Sequence, residues 1–271
     1  MTLLPHPLVG GAFTSPVAPG TGWPDDPAVA STPVARDADD VRRLAADADL
    51  AEVEARVSVC AACPRLVRWR EDVARDKRAS FADQPYWGRP IPGWGDPEPA
   101  LLVVGLAPAA NGGNRTGRIF TGDPSADWLL ASLHRTGWAT QPTSEHAGDG
   151  QRLVDARMVA TVRCAPPDNK PTPAERDTCA PWIAAELALL PTVRVVVALG
   201  SFGWDGAVRS LVAAGAPAPA RRPRFGHGEE VRIGDVTLLG CYHPSPHNTY
   251  TRRLTADMTD EVFERARALT Q

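Results

Sequence analysis

Four short apolar runs recur along the chain from residue 101 onward, and each is followed by a segment with helical periodicity. The runs begin at Leu101, Met158, Val193 and Val236, and the helical patterns begin at Ser125, Pro173 and Ser201 and within the closing stretch TADMTDEVFERARAL. Continuous apolar runs of this length are typical of strands buried on both faces, and strands that alternate with helices form parallel sheets. The sequence therefore predicts an α/β fold, a three-layer sandwich whose central four-stranded parallel sheet is flanked by helices.

The N-terminal region has a different pattern. Residues 1–36 are rich in Pro, Gly, Ser, Thr and Ala and show neither helical nor strand periodicity, which predicts an extended or partly disordered arm. From Asp37 onward, apolar positions at helical spacing predict one helix that leads into Cys60. Because the composition of the chain of 271 residues does not change in a way that requires a second core, residues 37–271 are expected to form a single domain.

Charge and hydropathy exclude few functions. The net charge of -3 argues against a polycation that coats nucleic acid, although a local basic rim would suffice for a compact DNA site. No apolar run has the length needed to cross a bilayer and the N-terminus has no basic signal region, so we expect a cytoplasmic protein without membrane contact. In that reducing compartment, five cysteines fit a metal or cluster site better than structural disulfides.

Four of the five cysteines have a spacing that suits metal ligation. Cys60 and Cys63 form a CAAC pair that can reach one metal centre, and Cys164 and Cys179 lie on a strand and its succeeding helix, which fold back together. Zinc and a 4Fe-4S cluster are both compatible with thiolate ligands. A thioredoxin-like redox pair is disfavoured because the CAAC motif follows a helix, while ordinary buried cysteines remain an alternative. Cys241 lies within the fourth apolar run and is expected in the core.

The loops after the predicted strands concentrate the polar residues that suggest chemistry. In a parallel sheet these loops meet at the carboxyl edge, where ligands bind. The loop after the first strand reads APAANGGNRTGRIFTGD, the loop after the second reads APPDNKPTP, and the loop after the fourth reads HPSPHNTYTRRL. Such crowding of Asn, Pro, Gly, Arg and His is typical of backbone that approaches a ligand closely.

Three motifs carry a resemblance to a known family. The stretch GLAPAANGGNRTGRIFTGD (residues 105–123), the stretch RCAPPDNKPTP and the stretch HPSPHN (residues 243–248), together with the spaced cysteines, closely resemble the family 5 uracil-DNA glycosylases. The resemblance implies a catalytic domain with the uracil-DNA glycosylase fold, which removes uracil and some other deaminated bases from DNA. It also implies a 4Fe-4S cluster on Cys60, Cys63, Cys164 and Cys179, and so favours the cluster over zinc.

Two positions depart from the pattern of the related family 4 enzymes. Those enzymes carry an acidic residue directly after the first Gly of the first motif, where this chain has Leu106, and an Asn that reads uracil, where this chain has Ala160. The first departure leaves Asp123 as the nearest carboxylate that could position the attacking water. The second implies looser discrimination between uracil and other lesions such as hypoxanthine, since a site without a polar reader cannot strongly reject analogues.

The resemblance and the chemistry of base excision together suggest residue roles. Such enzymes flip the nucleotide into a pocket, stack the base on an aromatic ring, and stabilise the charge that develops as the glycosidic bond breaks. Phe120 is expected to be the ring, and His243 is expected to donate to the base oxygen. The other expected site residues are the catalytic candidates Asp123 and Asn114 and the base-binding candidates Ala107 and Asn111. Both asparagines are equally compatible with a role in forming turns.

DNA contacts are expected mainly from the loop after the fourth strand. A rigid proline-containing loop suits entry into the minor groove while arginines hold phosphates. The expected DNA-binding residues are Arg115, Arg118, Pro246, His247, Asn248, Tyr250, Arg252 and Arg253. Lys170 lies in a polar, proline-rich loop that does not suit a Schiff-base lysine, so we expect a monofunctional glycosylase.

These expectations define a partner and an alternative. The expected partner is DNA that contains uracil or another deaminated base, and the protein is expected to act as a monomer that initiates base excision repair. The alternative hypothesis is a non-catalytic iron–sulfur module that binds DNA or senses redox state. Position 106 carries Leu106 where the family 4 enzymes have an acidic residue, and this feature favours the alternative.

Overall fold

A computed structural model describes residues 2–271, and its centre is a mixed sheet. A small antiparallel hairpin, β1 (Leu4–Pro5) and β2 (Ala12–Phe13), precedes the main sheet. The six strands of the main sheet are β3 (Trp94–Gly95), β4 (Leu101–Gly105), β5 (Ala156–Ala160), β6 (Val195–Leu199), β7 (Glu230–Ile233) and β8 (Val236–Cys241). They lie in the order β3-β5-β4-β6-β8-β7, which crosses over between sequential strands as parallel sheets do.

The four predicted apolar runs form β5, β4, β6 and β8, and these neighbours pair in parallel. The sheet has two more strands than the four predicted, because β3 and β7 add an antiparallel strand at each edge. β3 has only two residues, which is too short for a periodic pattern. β7 reads EVRI and is largely solvent-facing, so it lacks the apolar run by which the buried strands were found.

Helices cover both faces of this sheet. The helices are α1 (Ala38–Ala45), α2 (Leu50–Ser58), α3 (Pro64–Asp76), α4 (Gly113–Thr116), α5 (Pro124–Arg135), α6 (Pro173–Ala188), α7 (Gly200–Ala213), α8 (Pro246–Tyr250) and α9 (Ala256–Thr270). Leu101 and Val103 of β4 share one core with α5 and α9, whereas Leu102 and Val104 share another with α6 and α7. This alternation along β4 produces three layers. Within residues 2–271, no helix combines the length and apolar character needed to span a membrane.

The helix predicted from Asp37 to Cys60 is in fact two helices. Asp47 adopts a left-handed backbone conformation with φ of 51°, and this ends the periodic segment. Asp49 then begins α2 with a capping box, in which its side chain accepts from the backbone N–H of Glu52 while Glu52 reaches back to the backbone of Asp49. The break lets α1 and α2 each pack against α6.

The N-terminal arm, expected to be extended or partly disordered, is largely extended in the structure and packs against the core. Phe13, Val17 and Trp23 are buried in the same core as β4. Asp26 forms a two-pronged, nearly fully buried ion pair with Arg89, with N···O distances of 2.8 and 2.9 Å. Apolar anchors and a buried charge pair hold this segment against the domain without any helix.

Candidate active site

A cleft of about 540 Å³ opens at the carboxyl edge of the four parallel strands. Its walls come from the loop after β4, the loop after β5, the junction of β6 with α7, and the segment after β8. The predicted site residues on its walls are Ala107, Phe120, Asp123, His243, Pro246, Asn248 and Arg253. The strand order thus brings together residues that are more than a hundred positions apart in the chain, as expected for an open α/β sheet.

Phe120, which is expected to be the base-stacking ring, lies inside this cleft. Its backbone has a positive φ of 50°, which is an unfavourable conformation for a bulky residue and costs about 1–3 kcal/mol. The ring lies directly against Gly105, where a Cβ atom would come within 2.7 Å of the Phe120 Cζ atom. The glycine at the end of β4 therefore makes room for the ring, and the strained backbone directs the ring into the cleft.

His243 faces Phe120 across the cleft, with ring centroids 6.5 Å apart and an angle of 42° between the rings. Its backbone carbonyl accepts hydrogen bonds from the Asn248 side chain and the Ser245 backbone, both at 2.8 Å. Gly200 supports it from below, with a φ of 76° and a Cβ position 3.3 Å from the His243 Cβ atom. Burial lowers the pKa of His243, so at neutral pH the ring is an uncharged N–H donor.

Asp123 lies at the wall of the cleft and also begins α5. Its Oδ1 accepts from the backbone N–H groups of Ser125 and Ala126 at 3.0 and 3.1 Å, which is N-terminal capping. Burial raises the pKa of the carboxyl group despite these hydrogen bonds. One oxygen is thus committed to the helix, and the group as a whole is placed at the cleft.

The two asparagines of the first loop, which were expected to be site residues, lie outside the cleft lining. Asn114 is fully buried, and its side-chain amide donates to the Arg70 carbonyl at 3.1 Å, so it connects α4 to α3. Asn111 accepts a hydrogen bond from the Tyr86 hydroxyl at 2.9 Å. Both side chains hold the shape of the loop and are not placed to touch a base or a water in the cleft.

Arg115 and Arg118, which were expected to contact DNA, are also buried. Arg115 donates to the Gln84 side chain and to the Asn111 and Gly122 carbonyls. Arg118 forms a buried ion pair with Asp149 at 2.5 Å. In this structure, their guanidinium groups bond to backbone and side-chain acceptors within and beside the loop.

The segment after β8 presents the remaining predicted DNA-binding residues. Ser245 caps α8, and Pro246 occupies its first turn. His247, Arg252 and Tyr250 are exposed; 81% of the Tyr250 surface is accessible. Arg253 is exposed as well and lies over the Tyr242 ring, 4.9 Å from its centroid. Asn248 is half-buried, and its side-chain amide donates to the His243 carbonyl, so it stabilises that loop.

Several side chains of the cleft lining were missed from the sequence, among them the carboxylate of Asp168. Phe202 opens α7 and is 57% exposed at the cleft, and Tyr242 immediately precedes His243. Asn169 lies on a left-handed turn with φ of 55° after β5. The loop motif DNKP was visible in the sequence, but which of its side chains faces the cleft depends on this turn. Lys170, discounted from its sequence context, also lines the cleft and is exposed.

The four predicted ligand cysteines line one small cavity near α3 and α6. Cys63 immediately precedes α3, Cys60 precedes it in the CAAC turn, Cys164 lies beyond the end of β5, and Cys179 is in α6. None of the five cysteines forms a disulfide within residues 2–271, and Cys241 is buried in the core. Burial, followed by the neighbouring cysteines, raises the pKa of Cys63 to about 12. In the same described range, no three His, Cys, Asp or Glu side chains are grouped closely enough to hold a metal ion as they stand.

Comparison with known proteins shows the family to which the chain belongs. The family model described as the uracil DNA glycosylase superfamily matches residues 92–267. A type-5 uracil-DNA glycosylase of Mycobacterium bovis is 57% identical over 267 residues, which cover 97% of this chain and 98% of that protein. The type-5 enzymes of Thermus thermophilus and Pyrobaculum aerophilum are 49% and 44% identical over 79% of this chain, and cover 94% and 90% of those proteins. The chain belongs to the uracil-DNA glycosylase superfamily, among its type-5 members.

Proposed function

We propose that this protein is a uracil-DNA glycosylase, which flips a damaged nucleotide out of DNA and hydrolyses its N-glycosyl bond. The observation that carries the proposal is the pair formed by Phe120 and His243, whose rings face each other across the cleft. A flat base can stack on one ring while the other donates to its edge. A base inside a duplex cannot reach these rings, so the nucleotide must leave the stack.

His243 supplies the main electrostatic contribution in this mechanism. As the bond from sugar to base breaks, negative charge develops on the base oxygen, and a donor that is already in place stabilises it without reorganisation. Among residues 2–271, no hydrogen-bond partner occupies the His243 ring, so its N–H is available to the base. The Asn248 and Ser245 bonds to its carbonyl, together with the close approach of Gly200, keep the ring in position.

Asp123 is the carboxylate that we assign to the attacking water. Along the loop, Asp123 is the carboxylate nearest to Phe120. The position directly after Gly105, where family 4 enzymes carry an acidic residue, is occupied by the apolar Leu106. Because the departing base takes the bonding electrons and leaves positive charge on the sugar, water needs orientation more than activation. A single carboxylate oxygen that accepts a hydrogen bond from the water is enough for that purpose.

DNA would lie across the mouth of the cleft, over the segment after β8. Pro246 and Tyr250 offer a rigid apolar surface that suits a minor-groove wedge, and His247, Arg252 and Arg253 offer donors to phosphates. The buried arginines of the first loop take no part in this contact.

The range of lesions should extend beyond uracil to other deaminated bases such as hypoxanthine. The position from which a side-chain amide would discriminate uracil carries Ala160, which is buried and offers only a methyl group. The protein would then initiate base excision repair at several kinds of deaminated base. Excision measured on matched duplexes that differ only in the lesion tests this range, and activity confined to uracil would refute it.

A monofunctional reaction, with water as the nucleophile, is part of the proposal. Lys170 lines the cleft, but it is exposed to solvent and lies in a polar loop, without the apolar pocket that favours a neutral nucleophilic amine. Borohydride should therefore trap no covalent complex with DNA. A trapped complex that disappears in Lys170→Ala would contradict this assignment.

The central experiment compares base excision by the wild type, His243→Ala and the control His134→Ala. His134 is an exposed histidine at the end of α5, remote from the cleft lining. With a labelled duplex that contains one uracil, alkali-sensitive strand scission should follow incubation with the wild type. His243→Ala should lower the single-turnover rate roughly 100-fold or more, because one transition-state donor is lost, while binding of the duplex is retained.

Two outcomes of that experiment would overturn the proposal in different ways. An unchanged rate in His243→Ala would remove this residue from the reaction. If the wild type cleaves neither uracil nor hypoxanthine substrates but still binds DNA, the protein is instead a non-catalytic DNA-binding module.

We further propose that Cys60, Cys63, Cys164 and Cys179 hold a 4Fe-4S cluster. The donor set suits it, because four soft ligands surround one cavity and Arg70 donates to the Cys164 sulfur at 2.9 Å. When bound, the cluster would cross-link α3, the loop after β5 and α6, and so serve as a structural clasp. Purified protein should be brown, and Cys60→Ala should lose both the colour and much of its stability. Zinc in place of iron would refute the assignment.

We also propose that the protein acts as a cytoplasmic monomer. The thiol ligands suit a reducing compartment, and the proposed DNA surface is formed by one chain. Light scattering during size-exclusion chromatography, with and without a lesion-containing duplex, tests the monomer. A stable dimer that binds one duplex would contradict it.

A further inference from the structure

The cavity lined by the four ligand cysteines has a second set of polar groups. Arg70, Arg163 and Trp182 line it, and each is almost completely buried. An arginine and an indole carry N–H donors and no acceptor. The nitrogen atoms of these three residues therefore surround the cysteines with hydrogen-bond donors.

Several of these donors have no acceptor within the described residues 2–271. The Nε of Arg70, the Nε and Nη1 of Arg163, and the Nε1 of Trp182 are buried without a hydrogen-bond partner. Others already point at sulfur. Arg70 Nη1 donates to the Cys164 Sγ at 2.9 Å, and the Arg163 backbone N–H donates to the Cys179 Sγ at 3.4 Å. Arg70 and Arg163 therefore each have both an unpaired donor and a donor that bonds to sulfur, and Trp182 adds a further unpaired donor.

The arginines around the cavity also outnumber the carboxylates that pair with them. Arg163 pairs with Glu186, but Glu186 is shared with Arg157, which also pairs with Glu54. Arg70 has no carboxylate partner anywhere in the part of the chain that the structure describes. Arg70 is thus a buried cation with sulfur and carbonyl acceptors only.

Such an arrangement is unfavourable around four neutral thiols. A buried N–H without an acceptor costs about 1–3 kcal/mol, and a buried cation without a counter-charge costs more. A cluster held by four thiolates carries excess negative charge and offers sulfur atoms that accept hydrogen bonds. The residues around the cavity are therefore complementary to the ligated cluster and not to the free cysteines.

We propose that Arg70, Arg163 and Trp182 form a donor shell around the cluster and raise its reduction potential. This inference rests on the proposed 4Fe-4S cofactor. When the cluster accepts one electron it becomes more negative, and no bond to the protein forms or breaks. Nearby positive charge and N–H donors stabilise the more negative state, so they shift the potential upward. The three residues are positioning groups that act through the cluster ligands.

The test uses purified holoprotein and protein-film voltammetry, in which the electrode supplies the electron. Arg70→Met removes both the charge and the donors of Arg70 while keeping an unbranched stem, whereas Arg70→Lys keeps the charge. The matched control is Arg68→Met, which changes an exposed arginine two positions earlier on α3. Arg70→Met should have a lower reduction potential than the wild type, Arg70→Lys should fall between them, and Arg68→Met should match the wild type.

A second variant covers the case in which Arg70→Met fails to retain its cluster. Trp182→Phe removes one N–H without any change in charge, and should shift the potential downward by less than Arg70→Met would. Iron and sulfide analysis accompanies every measurement. Equal potentials in the wild type and in cluster-loaded Arg70→Met and Trp182→Phe would overturn the donor shell. Wild-type protein without iron would overturn the cofactor and this inference together, and uracil excision in the same sample would show that the proposed activity stands apart from both.

Discussion

The stability of the domain should fall on acidification because of one buried histidine beneath the N-terminal arm. His146 is 1% exposed and its ring centroid lies 4.4 Å from that of His6 and 5.3 Å from that of Trp23. Neither ring nitrogen of His146 has a hydrogen-bond partner within residues 2–271. Burial, reinforced by the nearby His6 and arginine side chains, lowers the pKa of His146 to about 3.

The sign and size of the effect follow from linkage between protonation and folding. Above the ordinary pKa of 6.5, His146 is neutral in both the folded and the unfolded chain, and contributes no pH dependence. Between pH 6.5 and pH 3 only the unfolded chain takes up the proton, so the free energy of unfolding falls by roughly 1.4 kcal/mol for each pH unit. Across this window the loss is about 5 kcal/mol, which is comparable to the total stability of many domains.

Urea unfolding of the wild type and of His146→Phe at intervals between pH 7 and pH 4 measures this loss. Phenylalanine fills the same space among aromatic rings and cannot be protonated, so the difference in stability between the two proteins should grow in favour of the variant as the pH falls. Carboxylates titrate in both proteins and cancel in the difference. His134→Phe, at an exposed site, is the control. Parallel stability curves for the wild type and His146→Phe would show that His146 is solvated or paired in solution, and that the reasoning from burial is wrong.

Three further predictions concern the cleft and its supports. Gly105→Ala should slow uracil excision and destabilise the fold by about 1–3 kcal/mol, since the new Cβ atom would overlap the Phe120 ring; single-turnover rates and urea midpoints measure both. Arg118→Met should lower the free energy of unfolding by about 3–5 kcal/mol because it leaves Asp149 buried without a counter-charge, and adding Asp149→Asn should restore part of the loss. Tyr250→Ala should weaken binding of a uracil duplex while the rate at saturating enzyme is unchanged, and an unchanged Kd would exclude it from the DNA surface.

The order of strands and helices could be predicted because burial on both faces leaves a continuous apolar run in the sequence. The four runs that became β4, β5, β6 and β8 have this signature. The edge strands do not. The pair Trp94–Gly95 is too short to show a period, and Glu230–Ile233 is mostly solvent-facing, so neither differs from a loop in composition.

The packing of the N-terminal arm against the core could not be predicted from its sequence either. Its composition resembles that of disordered segments, because it is rich in Pro, Gly, Ser, Thr and Ala and shows no helical or strand period. Three buried side chains, Phe13, Val17 and Trp23, nevertheless hold it to the core. Sparse anchors of this kind have no period, and their effect depends on partners far along the chain.

In the candidate site, sequence motifs indicate which residues lie at the sheet edge, but packing determines which of their side chains face the cleft. Phe120, Asp123 and His243 could be chosen because the carboxyl edge of a parallel sheet restricts where chemistry can occur. For Arg118 the motif was misleading. The partner that buries it, Asp149, lies 31 positions later in a stretch without any recognisable pattern. Whether an arginine in a loop faces a phosphate or the interior is settled by such distant acceptors.

In the proposed mechanism, burial explains how the cleft would function with Leu106 at the position where family 4 enzymes carry an acidic residue. The same dry wall raises the pKa of Asp123 and lowers the pKa of His243, so it disfavours the charged form of both groups. A neutral histidine can donate to a base oxygen on which negative charge is developing, and its N–H is worth more where water is excluded. In the proposed mechanism, a carboxylate at position 106 would stabilise positive charge on the sugar, but it would also bring water and another charge close to Phe120. In the proposed mechanism, the apolar Leu106 keeps water and charge away from the part of the cleft between Phe120 and His243, and orientation of the water by Asp123 is then sufficient.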